Sequence, residues 1–367
     1  MGKNMLKFQV VLTSCVFALV GLSSASAVGT PPPPPAYVDG TLALTFDTGT
    51  CPITAPCASL NYALSQITSG GSVIILKAGH FGPVVLNTKV SISGTEPNVD
   101  VDIIADSTAT VVGCVGQAPA ATCGGIGNTG YAAVIAAGAT DKVQIGHVLM
   151  STGPNGTGAL NFTSGGQVQI GNATFRGNGS ATGPIILLAP NNAGGAQAQV
   201  YFSNSDVGFN NGLAADGGAI HVAPIGTTSL KLHFNHVEVH NASYGIKTDG
   251  TALTTPSAVV ATFISECEFF SFNNAAVNAL STSGTGTVNA AFDTTRILNA
   301  AVALKANGPQ SFVILTNNTV SGNTIGLQIL GGAGVLTSVN NTITGNGPTN
   351  NQNVVIVSGT LNSAPLQ

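Results

Sequence analysis

The sequence predicts an all-β chain wound into a single-stranded, right-handed parallel β-helix of about ten coils with an N-terminal capping helix. Three observations carry that expectation. The chain consists of short β-branched runs broken by Gly, Asn and Ser. One unit recurs along it: an apolar strand, then Asn-x-Thr-apolar, then small residues with Asn, then another strand. Charge is nearly absent, at 7% of 367 residues against roughly 25% in an average soluble domain.

The repeat aligns on one apolar residue per unit: Met150, Phe175, Val207, Val239, Phe269, Ile297, Val320 and Ile343. The intervals are 25, 32, 32, 30, 28, 23 and 23 residues. A second apolar column runs through Ile170, Phe202, Phe234, Ile264, Phe292 and Leu315. Alternation along a strand sends every second side chain inward. Stacked coils place equivalent residues about 4.8 Å apart, so the columns become ladders that bury a continuous core. An α-solenoid needs a 3.6-residue period, and these segments alternate instead. Right-handed winding follows the general preference of parallel crossovers. Cys267 falls at an inward position and reads as a small buried apolar filler.

The first coil needs a cover, because an open sheet edge is adhesive. Ala58–Thr68 carries a helical stripe of Leu60, Ala63, Leu64 and Ile67, stopped by Gly70-Gly71. The run Val73–Leu76 then opens the sheet. Upstream, residues 1–27 read as a secretory signal. Lys3 and Lys7 precede the apolar run Phe8–Leu22, and Ala25-Ser26-Ala27 is a small-residue cleavage site. Leu12-Thr13-Ser14-Cys15 admits a lipoprotein alternative acylated at Cys15. Residues 28–37, with Pro31–Pro35, read as a stiff linker. The β-helix domain is placed at 38–360 and a tail at 361–367.

Removing the signal leaves eight basic against 14 acidic residues. No positive field remains for nucleic acid, and no other segment is long and apolar enough to span a bilayer. Cys51 with Cys57, and Cys114 with Cys123, are close pairs that suggest two local disulfides in an exported chain. Their spacings are not those of zinc sites.

The segment from Cys51 to Gly94 resembles the N-terminal cap of bacterial exported right-handed parallel β-helix proteins of the pectin-lyase-like superfamily. The residues carrying the likeness are Ala55-Pro56-Cys57, Leu60, Tyr62-Ala63-Leu64, Gly70-Gly71, Val73–Leu76, Phe81-Gly82 and Ser91–Gly94. The Asn-x-Thr-apolar repeats are similar to that group as well. The resemblance covers about residues 37–360. It implies a fold shared by polysaccharide lyases, hydrolases, epimerases and non-catalytic proteins, among which fold alone does not choose.

Two candidate sites follow. In that superfamily a groove on one outer sheet usually carries the chemistry. Here the corresponding outward column is expected to read His221, Lys247, Asn278, Ala303, Gln328, with Asp216 and Asp249 near the strand ends. Lys247 could act as a base if its pKa were depressed, and Asp249 could hold a calcium ion. The chain has only Arg176 and Arg296 as arginines, and neither lies in this column.

The second candidate is the outward column Leu149, Thr174, Asp206, Glu238, Glu268, Arg296, Thr319, Thr342. His236, Glu238 and His240 alternate, so an extended strand would put them on one side. Glu266 and Arg176 join the same patch. Of the 12 charged residues after position 150, Arg176, Asp206, Glu238, Glu266, Glu268 and Arg296 fall here. Such a patch could bind a divalent cation, supply paired carboxylates to a glycan, or be a solvated stripe balanced in part by Arg296. The sequence requires no cofactor, calcium being the one ion considered besides a transition metal on His236 and His240. The Asn-x-Ser/Thr triplets at Asn155, Asn161, Asn172, Asn178, Asn241, Asn317 and Asn340 are in several cases the repeat itself.

Two functions are therefore expected. One is an exported non-catalytic β-helix protein that touches polysaccharide or cell-surface glycan. The other is a polysaccharide lyase or glycoside hydrolase. The oligomeric state does not follow from the sequence.

Overall fold

Among the described residues every strand pairing is parallel, and 27 strands wind into a right-handed parallel β-helix. The structure, a computed structural model, describes residues 33–77, 79–94, 101–105, 130–152, 156–177, 183–210, 218–338, 340–347, 354–356 and 358–364. The signal segment and the Cys114–Cys123 pair lie outside the described residues.

Each coil contributes to three sheets. The first runs from Ala36–Asp39 through strands such as Gln167–Gly171 and Val259–Ser265 to Gly359–Ala364. The second includes Leu149–Thr152, Thr174–Arg176 and Thr319–Ser321. The third includes Ile186–Leu188, Ile220–Val222 and Ile325–Leu330. Leu230–Asp249 passes continuously through all three. The first sheet begins at Ala36, inside the segment expected to be linker, because Ala36–Asp39 pairs with Val73–Lys77. It ends inside the expected tail, because Gly359–Ala364 pairs with Ala333–Ser338.

Both apolar columns are in register. Met150, Phe175, Val207, Val239, Phe269, Ile297, Val320 and Ile343 are successive partners on the second sheet. Ile170, Phe202, Phe234, Ile264, Phe292 and Leu315 are successive partners on the first. Phe175, Phe202, Phe234, Phe269 and Phe292 are fully buried. The Phe202 and Phe234 rings stack at 5.0 Å. The capping helix forms over Leu60–Gln66. Ser59 Oγ accepts from Tyr62 N–H, and Asp47 accepts from Ala58 and Ser59 just upstream. Its stripe of Leu60, Ala63 and Leu64 is buried in the same core as Ala36 and Val38, next to the Cys51–Cys57 disulfide.

In several coils two corners are sharp and use left-handed backbone. Between the first and second sheets that position is His147, Asn172, Asn204, His236, Glu266, Thr294 and Asn317, at φ between 46° and 57°. Between the second and third it is Phe209, Asn241, Ser271, Asn299, Gly322 and Gly345. Asn tolerates this region better than most residues, which accounts for its recurrence.

At several corners the next residue points inward and carries an acceptor that satisfies the backbone of the coil before it. Asn318 Oδ1 accepts from Thr295 N–H at 2.9 Å, and Asn341 Oδ1 accepts from Asn318 N–H at 2.8 Å. Asn323 and Asn346 repeat the pattern at the other corner. Cys267 belongs to this ladder. Its Sγ accepts from Val237 N–H at 3.4 Å and donates to Ser265 O at 3.1 Å. It is therefore a polar link in a buried place rather than an apolar filler. Burial, with a smaller contribution from the charge of Glu266, pushes its thiol up to about 11.

Two predictions follow. Asn323→Ala leaves the Ala300 N–H and the Ile297 carbonyl without partners, so urea unfolding should show a loss of about 2–4 kcal/mol. Asn317→Ala, on the exposed side of the other corner, should cost under about 1 kcal/mol. At pH 7 Cys267 should resist alkylation in the folded protein and react once it unfolds. Cys267→Ser should keep more stability than Cys267→Ala, because only Ser restores the acceptor.

Candidate functional site

The outer faces of the three sheets differ in chemistry, and the coil register decides which side chains share a face. On the second sheet, Thr174, Asp206, Glu238, Glu268 and Arg296 are successive partners, as expected. Arg176, Gly208 and His240 form the neighbouring outward column. A Cβ on Gly208 would lie 2.5 Å from His240 Cε1. Its absence lets the imidazole lean across the rung and lets Arg176 reach over it.

Arg176 Nη2 donates to Asp206 Oδ2 at 2.6 Å, and His240 Nε2 lies 2.9 Å from Asp206 Oδ1. Asn241 Nδ2 donates to His240 Nδ1 at 2.9 Å. That leaves the proton of a neutral ring on Nε2, where it is donated to Asp206. The imidazole stacks on Phe270 at 4.9 Å and meets the edge of Phe209 at 5.0 Å, and Arg176 lies over Phe209. Glu238 Oε1 is 3.9 Å from His240 Nε2. Glu268 is bridged by Arg296 at 3.1 Å.

The patch thus differs from the expected row of facing carboxylates. Asp206 and Glu268 each have an arginine beside them, which relieves part of the like-charge repulsion between rungs. Glu238 has only His240 Nε2 at 3.9 Å, and that nitrogen lies nearer to Asp206. His236 does not join His240. It occupies the left-handed corner, φ 52°, which turns it off the strand face, and it pairs with corner residue Glu266 at 2.6 Å. No group of three or more His, Cys, Asp or Glu side chains converges on a metal position among the described residues.

On the third sheet the outward column reads Leu187, His221, Lys247, Asn278, Lys305, Gln328. Lys305 stands where Ala303 was expected, because Ala303 is buried in the core and Lys305 is the register partner of Asn278. Asp216 lies outside the described residues. Asp249 Oδ2 lies 3.8 Å from both His221 Nε2 and Lys247 Nζ. Burial works against its ionised form. Interactions with His221 and Thr251, and the charge of Lys247, overcome this and hold the carboxyl at about 2. Asn278 is buried, and neither its Oδ1 nor His221 Nε2 has a hydrogen-bond partner among the described residues.

The first sheet carries a feature that sequence reading missed. Its outward column is Gln144, Gln169, Tyr201, His233, Phe263, Ala291, Ile314, Leu336. Gln144 and Gln169 are joined by an amide bond ladder at 2.8 Å. Tyr201, His233 and Phe263 stack at 4.9 and 5.1 Å. Partial burial and then the charge of Lys231 lower the pKa of His233. Beyond the stack opens an uncharged trough of about 480 Å³. Phe263, Phe312, Ile314 and Leu336 line it with 37–46% of their surface exposed, and Asn289 and Asn362 supply polar groups. The signal was present one residue before each member of the second apolar column. Attention to charge, the rarer property, passed over it.

Two outcomes test this geometry. Gly208→Ala should displace His240 from Asp206 and destabilise the protein by about 1–3 kcal/mol in urea unfolding, whereas Thr174→Ala on the same face should be nearly silent. Asp249 contributes stability fully above its ordinary value of 3.8, and that contribution fades as pH falls through about 2. The stability gap between wild type and Asp249→Asn should therefore be constant at neutral pH and close between about pH 4 and pH 2.

No protein-family model matches the chain, and no curated protein matches it. Among solved structures it is similar to the crystal structure of pectate lyase Pel9A, with a TM-score of 0.58 and 10% sequence identity. The match covers 92% of this chain and 80% of that one. Among the described residues no helix is long and apolar enough to cross a membrane. The likeness shows the fold, a right-handed parallel β-helix.

Proposed function

We infer that this is an exported, non-catalytic β-helix protein that binds a neutral polysaccharide along the outer face of its first sheet. The uncharged, aromatic-lined trough carries this reading. Sugar rings present apolar C–H faces and hydroxyl rims. Phe263, Phe312, Ile314 and Leu336 offer matching apolar surface, and Asn289 and Asn362 offer donors and acceptors. Stacked rungs repeat these contacts along the rod axis, so a linear polymer lying on the face can make several at once. The signal-like segment 1–27 and the Cys51–Cys57 disulfide support export. The arginines beside Asp206 and Glu268 argue against a free carboxylate pair at those two residues.

One observation favours a second reading, a polysaccharide lyase or glycoside hydrolase. His221, Lys247 and Asp249 lie together on the third sheet beside the unpartnered Oδ1 of buried Asn278, on the fold of a pectate lyase.

Incubation with a polysaccharide panel separates the two. Affinity electrophoresis should show retardation by a neutral glycan, weakened about threefold to tenfold by Phe312→Ala or Phe263→Ala. Neither unsaturated nor new reducing ends should form. Release of unsaturated ends abolished by Lys247→Ala, or of reducing ends abolished by Glu238→Gln, would establish the enzyme instead.

A further inference from the structure

We propose that the trough on the first sheet holds one pyranose ring on edge in a slot above Ala291, and that the slot selects a ring whose hydroxyls are all equatorial. This rests on the glycan reading and names the class of sugar unit that the site takes.

The slot is a missing step in an aromatic ladder. Tyr201, His233 and Phe263 are register partners on consecutive rungs. Their ring centroids are 4.9 and 5.1 Å apart, with interplanar angles of 9° and 17°. Coplanar rings at that spacing would interpenetrate, so each ring turns a face toward the next rung. Ala291 is the next partner of Phe263, and Ile314 is the one after. At Ala291 the column carries a methyl group in place of a ring, and the Phe263 face on that side opens into the trough.

The space fits one ring. Phe263 and Ile314 stand two rungs apart, about 9.6 Å. A ring at the level of Ala291 lies one rung from each, which is the spacing found within the stack. The neighbouring outward column keeps the place open. Phe312 follows Asn289 there, and its ring leans the other way, over Gly334, where a Cβ would come within 3.0 Å of it.

The walls set the chemistry. A ring in the slot lays one face on Phe263 and the other on Ile314, and neither side chain offers a hydrogen bond. A sugar with only equatorial hydroxyls shows C–H groups on both faces. One axial hydroxyl sets a polar group against an apolar wall without a partner, which costs affinity. The equatorial rim points to solvent and toward Asn289, which shares the strand Thr287–Asp293 with Ala291. A chain lying along the rod axis shows Phe263 the rims of its rings, so the unit in the slot is a chain end or a side branch.

Ligand-observed NMR titrations with methyl β-glucoside and methyl β-galactoside, which differ by one axial hydroxyl, test this beside affinity electrophoresis on the polysaccharide panel. The glucoside should bind about tenfold more tightly. Ala291→Phe should fill the slot and abolish glucoside binding with an unchanged far-UV spectrum. Should that variant fail to fold, Ile314→Ala decides, because it removes one wall and should reduce the preference to under about threefold. Equal binding of the two glycosides, binding of neither, or a preference that neither variant changes overturns the proposal. If a neutral polysaccharide is still retarded in that case, the glycan reading stands and only the slot falls. Absence of retardation by every polysaccharide removes both.

Discussion

The corners are the constraint on which the molecule depends. A coil must turn sharply without leaving buried N–H or C=O groups unpaired, because each such group costs a few kcal/mol. A residue in the left-handed region makes the turn, and at several corners the next residue points inward and accepts a hydrogen bond from the coil before it. Ser205, Cys267 and Asn318 fill that inward place at one corner. Their common property is an acceptor of short reach, and Cys267 shows that sulfur suffices. With the corners satisfied, strand alternation fixes which residues form the core and which form the three outer faces.

Those faces then diverge. The first is aromatic and uncharged toward the C-terminal end, the second holds five of the 12 charged residues after position 150, and the third places His221 and Lys247 against an ionised Asp249. On the second face the few charges lie in local pairs, with Arg176 serving Asp206 and Arg296 serving Glu268. The exposed pairs add little to stability. Their arrangement explains how carboxylates occupy adjacent rungs without a bound cation. Gly208 has a role that its type alone does not announce. The space above it seats His240, and the imidazole in turn joins Asp206, Asn241 and Phe270 into one unit.

Much of the fold was legible because a solenoid turns sequence periodicity directly into spatial adjacency. Both apolar columns aligned by residue type are the register partners seen in space, and so is the column of Asp206, Glu238, Glu268 and Arg296. Three departures have separate causes. His236 leaves the face of Glu238 because it sits at a left-handed corner, Lys305 takes the outward place because Ala303 faces the core, and Ala36–Asp39 enters the sheet. The third follows from pairing with a strand more than 30 residues away, which no local pattern encodes.

The sequence alone determined the fold class, the coil register and the near absence of charge, because each depends on residue type at a repeated position. The tertiary structure decided what those positions do together. The carboxylates became ion pairs only once Arg176 reached across a glycine. The trough appeared only when Phe263, Phe312 and Leu336 came onto one face, although they lie 24 to 73 residues apart in the chain. In each case the property belongs to the spacing between coils, and a linear chain fixes that spacing only after its corners have closed.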